Sequence, residues 1–172
     1  MPSKKDEIVL KKGKVPSKIL DKLRKTVEEL YGVDPSKYIP LLANYVCFNE
    51  FCILYSGIKH LEKISATRLF EGSWIGVYYK KLVVPSVTLV KHIYAEVGTK
   101  AAVVVAEQGV KAFLYGNDVL LESVLRVIPP RKGLYAVIDS LDGEVIGFAK
   151  WDPARKVYMN VYDLGMFLRI LG

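Results

Sequence analysis

Cysteine is scarce: Cys47 and Cys52 are the only two. Two thiols supply neither a disulfide framework nor the four ligands of a structural zinc site, and their scarcity fits a cytosolic protein. Long hydrophobic runs are missing too. The longest apolar stretches, residues 83–90 and 101–106, fall far short of the roughly 20 residues that cross a bilayer, and residues 1–15 alternate lysines with apolar positions instead of forming a signal core. A soluble, cytoplasmic protein without a membrane partner is therefore expected. Glutamine occurs once, as Gln108, beside abundant Lys, Arg and Glu, a balance found in proteins that work at high temperature. Histidine is limited to His60 and His92, with no cysteine or paired carboxylate at ligand spacing, and no phosphate-binding glycine loop, nucleophile elbow or paired-histidine helix motif is present. Glu28 with Glu29 and Asp139 with Asp142 read as a solvated helix face and a hairpin turn. No catalytic residue, metal or cofactor is expected.

What is present is apolar bulk and positive charge. Hydrophobic residues make up 51% of 172 positions, enough for one ordinary domain or two small ones with real cores. The formal charge is +7. Residues 1–100 hold 17 Lys and Arg against 10 Asp and Glu, whereas residues 101–172 hold 8 of each, so the whole excess is N-terminal. Nine of those cations lie in the first 25 residues, from Lys4 to Lys25, against Asp6, Glu7 and Asp21. Such a run is either a solvated helix face and tail or a grip on phosphates.

Apolar residues Ile19, Leu20, Leu23, Val27 and Leu30 recur at helical spacing between a Ser17 cap and Gly32. A second short helix is expected over residues 38–43, then a hairpin of 45–48 and 51–55 turning at Asn49-Glu50. Glu tolerates positive φ poorly, so this turn is a weaker signal than Asn-Gly. A two-residue turn places Cys47 opposite Cys52, as a redox pair, two buried thiols or a structural bridge. A helix over 58–64, strands over 74–79 and 81–85 and a helix over 86–96 follow. Gly98, Thr99 and Lys100 mark the composition break that divides an N-terminal α+β domain (1–98) from a C-terminal domain (99–172).

The C-terminal pattern is β-rich. A strand over 101–106 leads to a short helix from Gly109 with Val110, Phe113 and Leu114 on its buried side, ended by Gly116-Asn117. A strand run over 119–127 enters the basic turn Pro129-Pro130-Arg131-Lys132-Gly133. Strands over 134–138 and 144–151 flank Asp142-Gly143, a strong hairpin signal; a strand over 156–161 and a helix or strand over 164–171 close the chain. Short strands at this spacing fit a small, partly open barrel.

Gly109-x3-Phe113-x2-Gly116-x2-Val119, Val127, Gly133, Val137, Asp142-Gly143, Ile146-Gly147 and Asp163-Leu164-Gly165 resemble the PUA domain, the RNA-binding module named after pseudouridine synthases and archaeosine transglycosylases. The run Phe113-Leu114-Tyr115-Gly116-Asn117-Asp118-Val119-Leu120, with Ile146-Gly147-Phe148 and the Asn49-Glu50 hairpin, is similar to the ribosome-assembly family called nuclear import protein seven, in an archaeal form. That resemblance implies an α+β, sandwich-like N-terminal domain before a PUA pseudo-barrel. It also implies a non-catalytic factor in large-subunit biogenesis and rRNA processing, binding U-rich or AU-rich single strands of pre-rRNA. Partners implied are exosome components, the homologue of the Shwachman-Bodian-Diamond protein and other assembly factors.

RNA-contacting candidates come from two sources. Lys150, Trp151, Arg155 and Lys156 set three cations and an aromatic around Asp152-Pro153, and Arg131 and Lys132 follow two prolines; cations hold phosphates while a ring stacks an unpaired base. The alternative for Trp151 is inward packing at a solvated turn. The PUA resemblance adds Lys111, Tyr115, Gly116 and Asn117 at the first helix and its glycine loop, with Tyr115 equally readable as core and Arg126 and Arg169 as further neighbours. Rival readings are an RNA-modifying enzyme or its accessory subunit, and a protein-interaction adaptor in an RNA-processing complex.

Overall fold

A computed structural model describes residues 9–57, 72–128 and 133–171. Lys4, Lys5, the helix expected over 58–64 with His60, and Arg131 with Lys132 lie outside the described residues. The first described element was not expected from the sequence: Leu10–Lys14 is a strand, β1, paired antiparallel with β2 at the edge of the first sheet. Its lysines suit that place, since charged side chains protect an open strand edge from further pairing.

Helix α1 (Ser17–Tyr31) buries Leu20, Leu23, Val27 and Leu30 of the predicted stripe together with Tyr31, leaves Ile19 half-buried, and ends at Gly32, whose φ is 66° and whose N–H donates to the Glu28 carbonyl. The cap expected at Ser17 is displaced by one residue. Pro16 occupies that position at φ −58°, already set for helix entry, and no side chain caps the helix. The second helix, expected over 38–43, does not form. The Asp34 carboxylate accepts the Ser36 N–H at 2.9 Å and closes a single 3-10 turn at Pro35–Lys37, and Pro40 bars its predecessor Ile39 from continuing as α-helix.

Strands β2 (Asn44–Phe48) and β3 (Phe51–Ser56) form the expected hairpin, with Phe48 opposite Phe51 and Cys47 opposite Cys52. Only Asn49 of the two turn residues takes positive φ, at 55°. The cysteines form a disulfide with Cα atoms 3.9 Å apart, which rules out two free thiols. β4 (Ser73–Tyr79) and β5 (Leu82–Pro85) turn through Lys80 and Lys81, both at positive φ, and complete a five-stranded antiparallel sheet in the order β1-β2-β3-β4-β5. α2 (Val87–Val97) follows the buried Ser86, whose hydroxyl accepts from the Leu89 N–H and donates to the Trp74 carbonyl at 2.6 Å.

The second sheet contains β6 (Ala102–Val105), β7 (Val119–Leu120), β8 (Val124–Ile128), β9 (Leu134–Asp139), β10 (Val145–Asp152) and β11 (Val157–Asp163), with α3 (Glu107–Leu114) after β6 and α4 (Met166–Leu171) at the end. The order is β7-β11-β10-β9-β6-β8, antiparallel except for β6 beside β9. The single strand expected over 119–127 is two strands, because β7 pairs with β11 at one edge and β8 with β6 at the other. The 3-10 turn Leu121–Ser123 is all that joins them. Three residues span roughly 10 Å, whereas the edges of a flat six-stranded sheet lie roughly 24 Å apart, so the sheet must curl. It does so as a half-barrel, helped by register shifts at Phe148/Ala149 and Val104/Val105. The β9–β10 hairpin turns through Asp142-Gly143 as expected, with its connection one residue later than the expected strand ends imply. Asp139 and Asp142 accept the N–H groups of Leu141 and Glu144 and build a loop over 140–144, with Gly143 at φ 74°.

The two sheets are joined closely. The N–H of Lys100 donates to the Leu30 carbonyl at 2.7 Å, the Thr99 hydroxyl donates to the same oxygen, and Lys91 on α2 pairs with Glu144. α1 touches β9, α2 touches β10, and the buried residues of both sheets form one contiguous core.

Candidate nucleic-acid interface

The residues after α3 and the β10–β11 turn are neighbours because β7 pairs with β11, with Val119 opposite Tyr158 and Leu120 opposite Val157. Asp152 shapes the turn: its carboxylate accepts the N–H groups of Ala154 and Arg155 and the Arg155 guanidinium at 2.9 Å. The Arg155 side chain, followed by the backbone N–H groups, holds the Asp152 carboxyl below the usual carboxylate range. The same guanidinium reaches Asp118 at 3.0 Å. Lys150 and Lys156 stand exposed at the two ends of this turn and make no ion pair among the described residues, while Lys156 takes positive φ at 54°. Of the three cations expected to hold phosphates, Arg155 is thus committed to two carboxylates and two lysines are available.

Trp151 is half-buried. Its ring packs against Tyr158 at 4.8 Å, and Tyr158 meets Tyr135 at 5.2 Å, an aromatic row that continues into the core. The aromatic side chain that faces solvent is Tyr115, 79% exposed at the end of α3. Lys111 lies one helical turn earlier and pairs with Glu107 at 2.7 Å. Gly116 and Asn117 are exposed beside it.

Beneath this loop lies a polar network of which the sequence showed only fragments. Asp163 is fully buried and accepts both terminal nitrogens of Arg169, at 3.1 and 2.6 Å, and the Asn160 amide at 3.0 Å. Arg169 also donates to the Leu114 carbonyl at 2.7 Å, and Asn160 to the Phe113 and Asn117 carbonyls. Carbonyls at and just after the end of α3 thereby accept from side chains of β11 and α4, Phe113 in addition to its bond from the Gly116 N–H. Gly116, at φ 92°, leaves the space into which the Arg169 guanidinium packs, within 3.1 Å of where a Cβ would sit. The terminal Asp163-Leu164-Gly165 run was a signal for this network; the role of Asn160 had none. Arg126 lies on the edge strand β8, opposite Val104 of β6. Among the described residues no three His, Cys, Asp or Glu side chains converge as metal ligands, and no helix is long and apolar enough to cross a membrane.

Residues 101–172 match the family model described as the UPF0113 PUA domain. Among curated proteins, none matches the chain. Three solved archaeal structures share the fold. A conserved PUA domain protein from Thermoplasma acidophilum aligns over 94% of this chain and 100% of its own, with TM-score 0.60 and 16% identity. A hypothetical protein from the hyperthermophile Pyrococcus horikoshii aligns over 81% of this chain and 80% of its own, at 0.58 and 16%. A PUA domain structure from Aeropyrum pernix aligns over 91% of this chain and 88% of its own, at 0.57 and 14%. The family match and the curled sheet agree on the same stretch, residues 101–172, which carries the PUA-type domain that the UPF0113 model describes.

Proposed function

We propose that this chain is a non-catalytic, cytoplasmic RNA-binding protein whose PUA domain holds single-stranded RNA on the surface shared by the 115–118 loop and the β10–β11 turn. The observation that carries this reading is the Arg155–Asp118 ion pair, which brings two separately suspected segments onto one surface. There Lys150, Lys156 and Lys111 are placed to meet phosphates, and the exposed Tyr115 ring to stack an unpaired base. A domain of zero net charge holds RNA in this way only if its cations converge.

The finer reading is a role in maturation of the large ribosomal subunit on U-rich or AU-rich pre-rRNA. Exosome components and the Shwachman-Bodian-Diamond protein homologue are the partners it proposes. It rests on the family resemblance of the run from Phe113 to Leu120. A disulfide in a cytoplasmic protein fits a hyperthermophilic source, where intracellular disulfides are common.

The test is RNA binding by the full chain. Replacing Lys150, Arg155 and Lys156 together by serine is expected to weaken binding of a U-rich strand at least tenfold, about 1.4 kcal/mol, with circular dichroism confirming the fold. Unchanged affinity would remove the PUA surface from the reading. New modified nucleotides after incubation with RNA would replace it with the enzyme reading. A second reading, docking of a protein partner, is favoured by one observation: Leu120, Leu121, Leu125 and Val127 are all exposed, the last two on edge strand β8.

A further inference from the structure

We propose that the N-terminal sheet carries a second RNA-contacting surface, in which a cavity beside the start of α1 takes an unstacked base and the surrounding lysines hold the flanking phosphates. The proposal rests on the RNA-binding reading above but uses none of its residues.

Two observations on different levels point to this place. One is a cavity of about 220 Å³, lined by Lys11, Ile19, Tyr45, Tyr78 and the Cys47–Cys52 disulfide. Its origin is legible in the strand register. Lys11, Cys47, Cys52 and Tyr78 stand side by side across β1, β2, β3 and β4, and so share one face of the sheet. Helix α1 covers that face, with Leu23 seated against Gly76, but the helix starts too late to cover this row completely. The uncovered space is apolar and walled by two half-buried tyrosine rings. It is smaller than a drug-sized pocket, which starts at about 300 Å³, and suits a single planar ring system.

The other observation is charge. All of the chain's net charge of +7 belongs to residues 1–100. Lys11 lines the cavity itself. Lys18, Lys22 and Lys25 recur at i, i+4 and i+7 on the exposed side of α1, beginning next to Ile19 in the cavity wall. Lys80 and Lys81 form the β4–β5 turn just beyond Tyr78, at the same end of the sheet as the Asn49-Glu50 turn. Acidic neutralisation is sparse: Lys25 pairs with Glu29, Asp21 pairs with Arg24, and Glu50 acts on Lys80 only as a weak electrostatic neighbour. Lys11, Lys18, Lys22 and Lys81 make no ion pair among the described residues. Cations at the rim of an aromatic, base-sized cavity are the combination that binds single-stranded nucleic acid without reading its sequence. An acidic peptide would satisfy the lysines but leave the tyrosine-walled cavity unused.

The experiment uses the full chain and a 12-nucleotide U-rich RNA bearing 4-thiouridine. Photo-crosslinking followed by peptide mass spectrometry is expected to place part of the crosslinks in peptides containing Tyr45 or Tyr78. Replacing the exposed Lys11, Lys18 and Lys22 by serine is expected to weaken binding about fivefold. The slope of log affinity against log salt should fall by roughly 0.7 for each phosphate that is no longer neutralised. Tyr78→Leu, which keeps the wall apolar, should remove the cavity crosslinks while circular dichroism stays unchanged. Crosslinks confined to residues 101–172, with the triple lysine variant binding like the wild type, would overturn this inference and leave the PUA reading standing. No RNA binding by the wild-type chain would overturn both. Polyglutamate that binds as tightly as the RNA, and loses affinity equally in the lysine variant, would overturn it in favour of an acidic protein partner.

Discussion

Arg155 in the β10–β11 turn and Asp118 after α3 meet at 3.0 Å, although 37 residues separate them. Asp118 competes for the guanidinium with any phosphate that approaches. Asp118→Asn keeps an oxygen able to accept the Asn160 N–H, as Asp118 does at 2.8 Å, but removes the negative charge. Affinity of the full chain for a U-rich strand is expected to rise roughly two- to fivefold, the scale of one exposed ion pair. Fluorescence anisotropy would read this directly. A fall in affinity would instead mean that the pair acts by holding the loop in place.

Asp163 carries the largest stability consequence in the PUA domain. Its buried carboxylate is the meeting point of Arg169 and Asn160. Asp163→Ala removes the carboxylate that pairs with the guanidinium, leaving Arg169 and Asn160 only their backbone carbonyl acceptors, and is expected to destabilise the chain by about 2–3 kcal/mol. The partly exposed Arg169 side chain, still reached by water, keeps the loss below that of a fully buried pair. Urea denaturation with an unchanged slope would confirm the figure. A loss under about 0.5 kcal/mol would show that water replaces the network.

The β10–β11 turn should respond to acid at an unusually low pH. The Asp152 carboxyl lies below its ordinary range because Arg155 and two backbone N–H groups favour its charged form. A group whose folded pKa is depressed stabilises the fold above its unfolded value, near 3.9, and loses that contribution as pH falls through the folded value. The amide resonances of Ala154 and Arg155 are therefore expected to hold steady from pH 7 to about 5 and to shift only below about 4. A midpoint above 4.5 would contradict the hydrogen bonding seen at this turn.

Reduction of the Cys47–Cys52 bridge should cost little. The loop it closes is short, with a sequence separation of 5, and the β2–β3 ladder already fixes the hairpin. Chain-entropy arguments for so small a loop give about 2 kcal/mol. Thermal melts with and without a reductant would measure it, and complete unfolding on reduction would mean the hairpin depends on the bridge.

These residues also show what the sequence made legible. The α1 stripe, its Gly32 stop, the β2–β3 register and the succession of short strands after Ala101 follow from local periodicity and turn chemistry, and the structure has all of them. Helix expectations failed where one residue overrode a pattern, as Pro40 did after Tyr38. β1 stayed hidden because Lys-Lys-Gly-Lys after Leu10 offers no apolar face, and the lysine-apolar mixture of residues 1–15 does not continue through it; its strand identity comes from pairing with β2. The split of β7 from β8 likewise reflects which edges they join, a property of the curled sheet. At the candidate site the sequence marked Lys150, Arg155, Lys156 and the loop after α3. It could not show that Arg155 is held by Asp118 and Asp152, because such pairing depends on the β7–β11 contact.

The junction between the sheets gives the molecule a fixed geometry. Leu30 accepts hydrogen bonds from both Thr99 and Lys100, so the connecting segment has no slack, and one core runs beneath it. With both proposed surfaces engaged, the molecule would act as a ruler. A flexible tether would let two contact surfaces find a ligand over a range of separations, and affinity would change smoothly with ligand length. A rigid junction sets one separation, so binding should rise in a step once an RNA is long enough to reach both surfaces and gain little from further length. Separating the two pieces at residues 98–100 would uncover the shared apolar core on both.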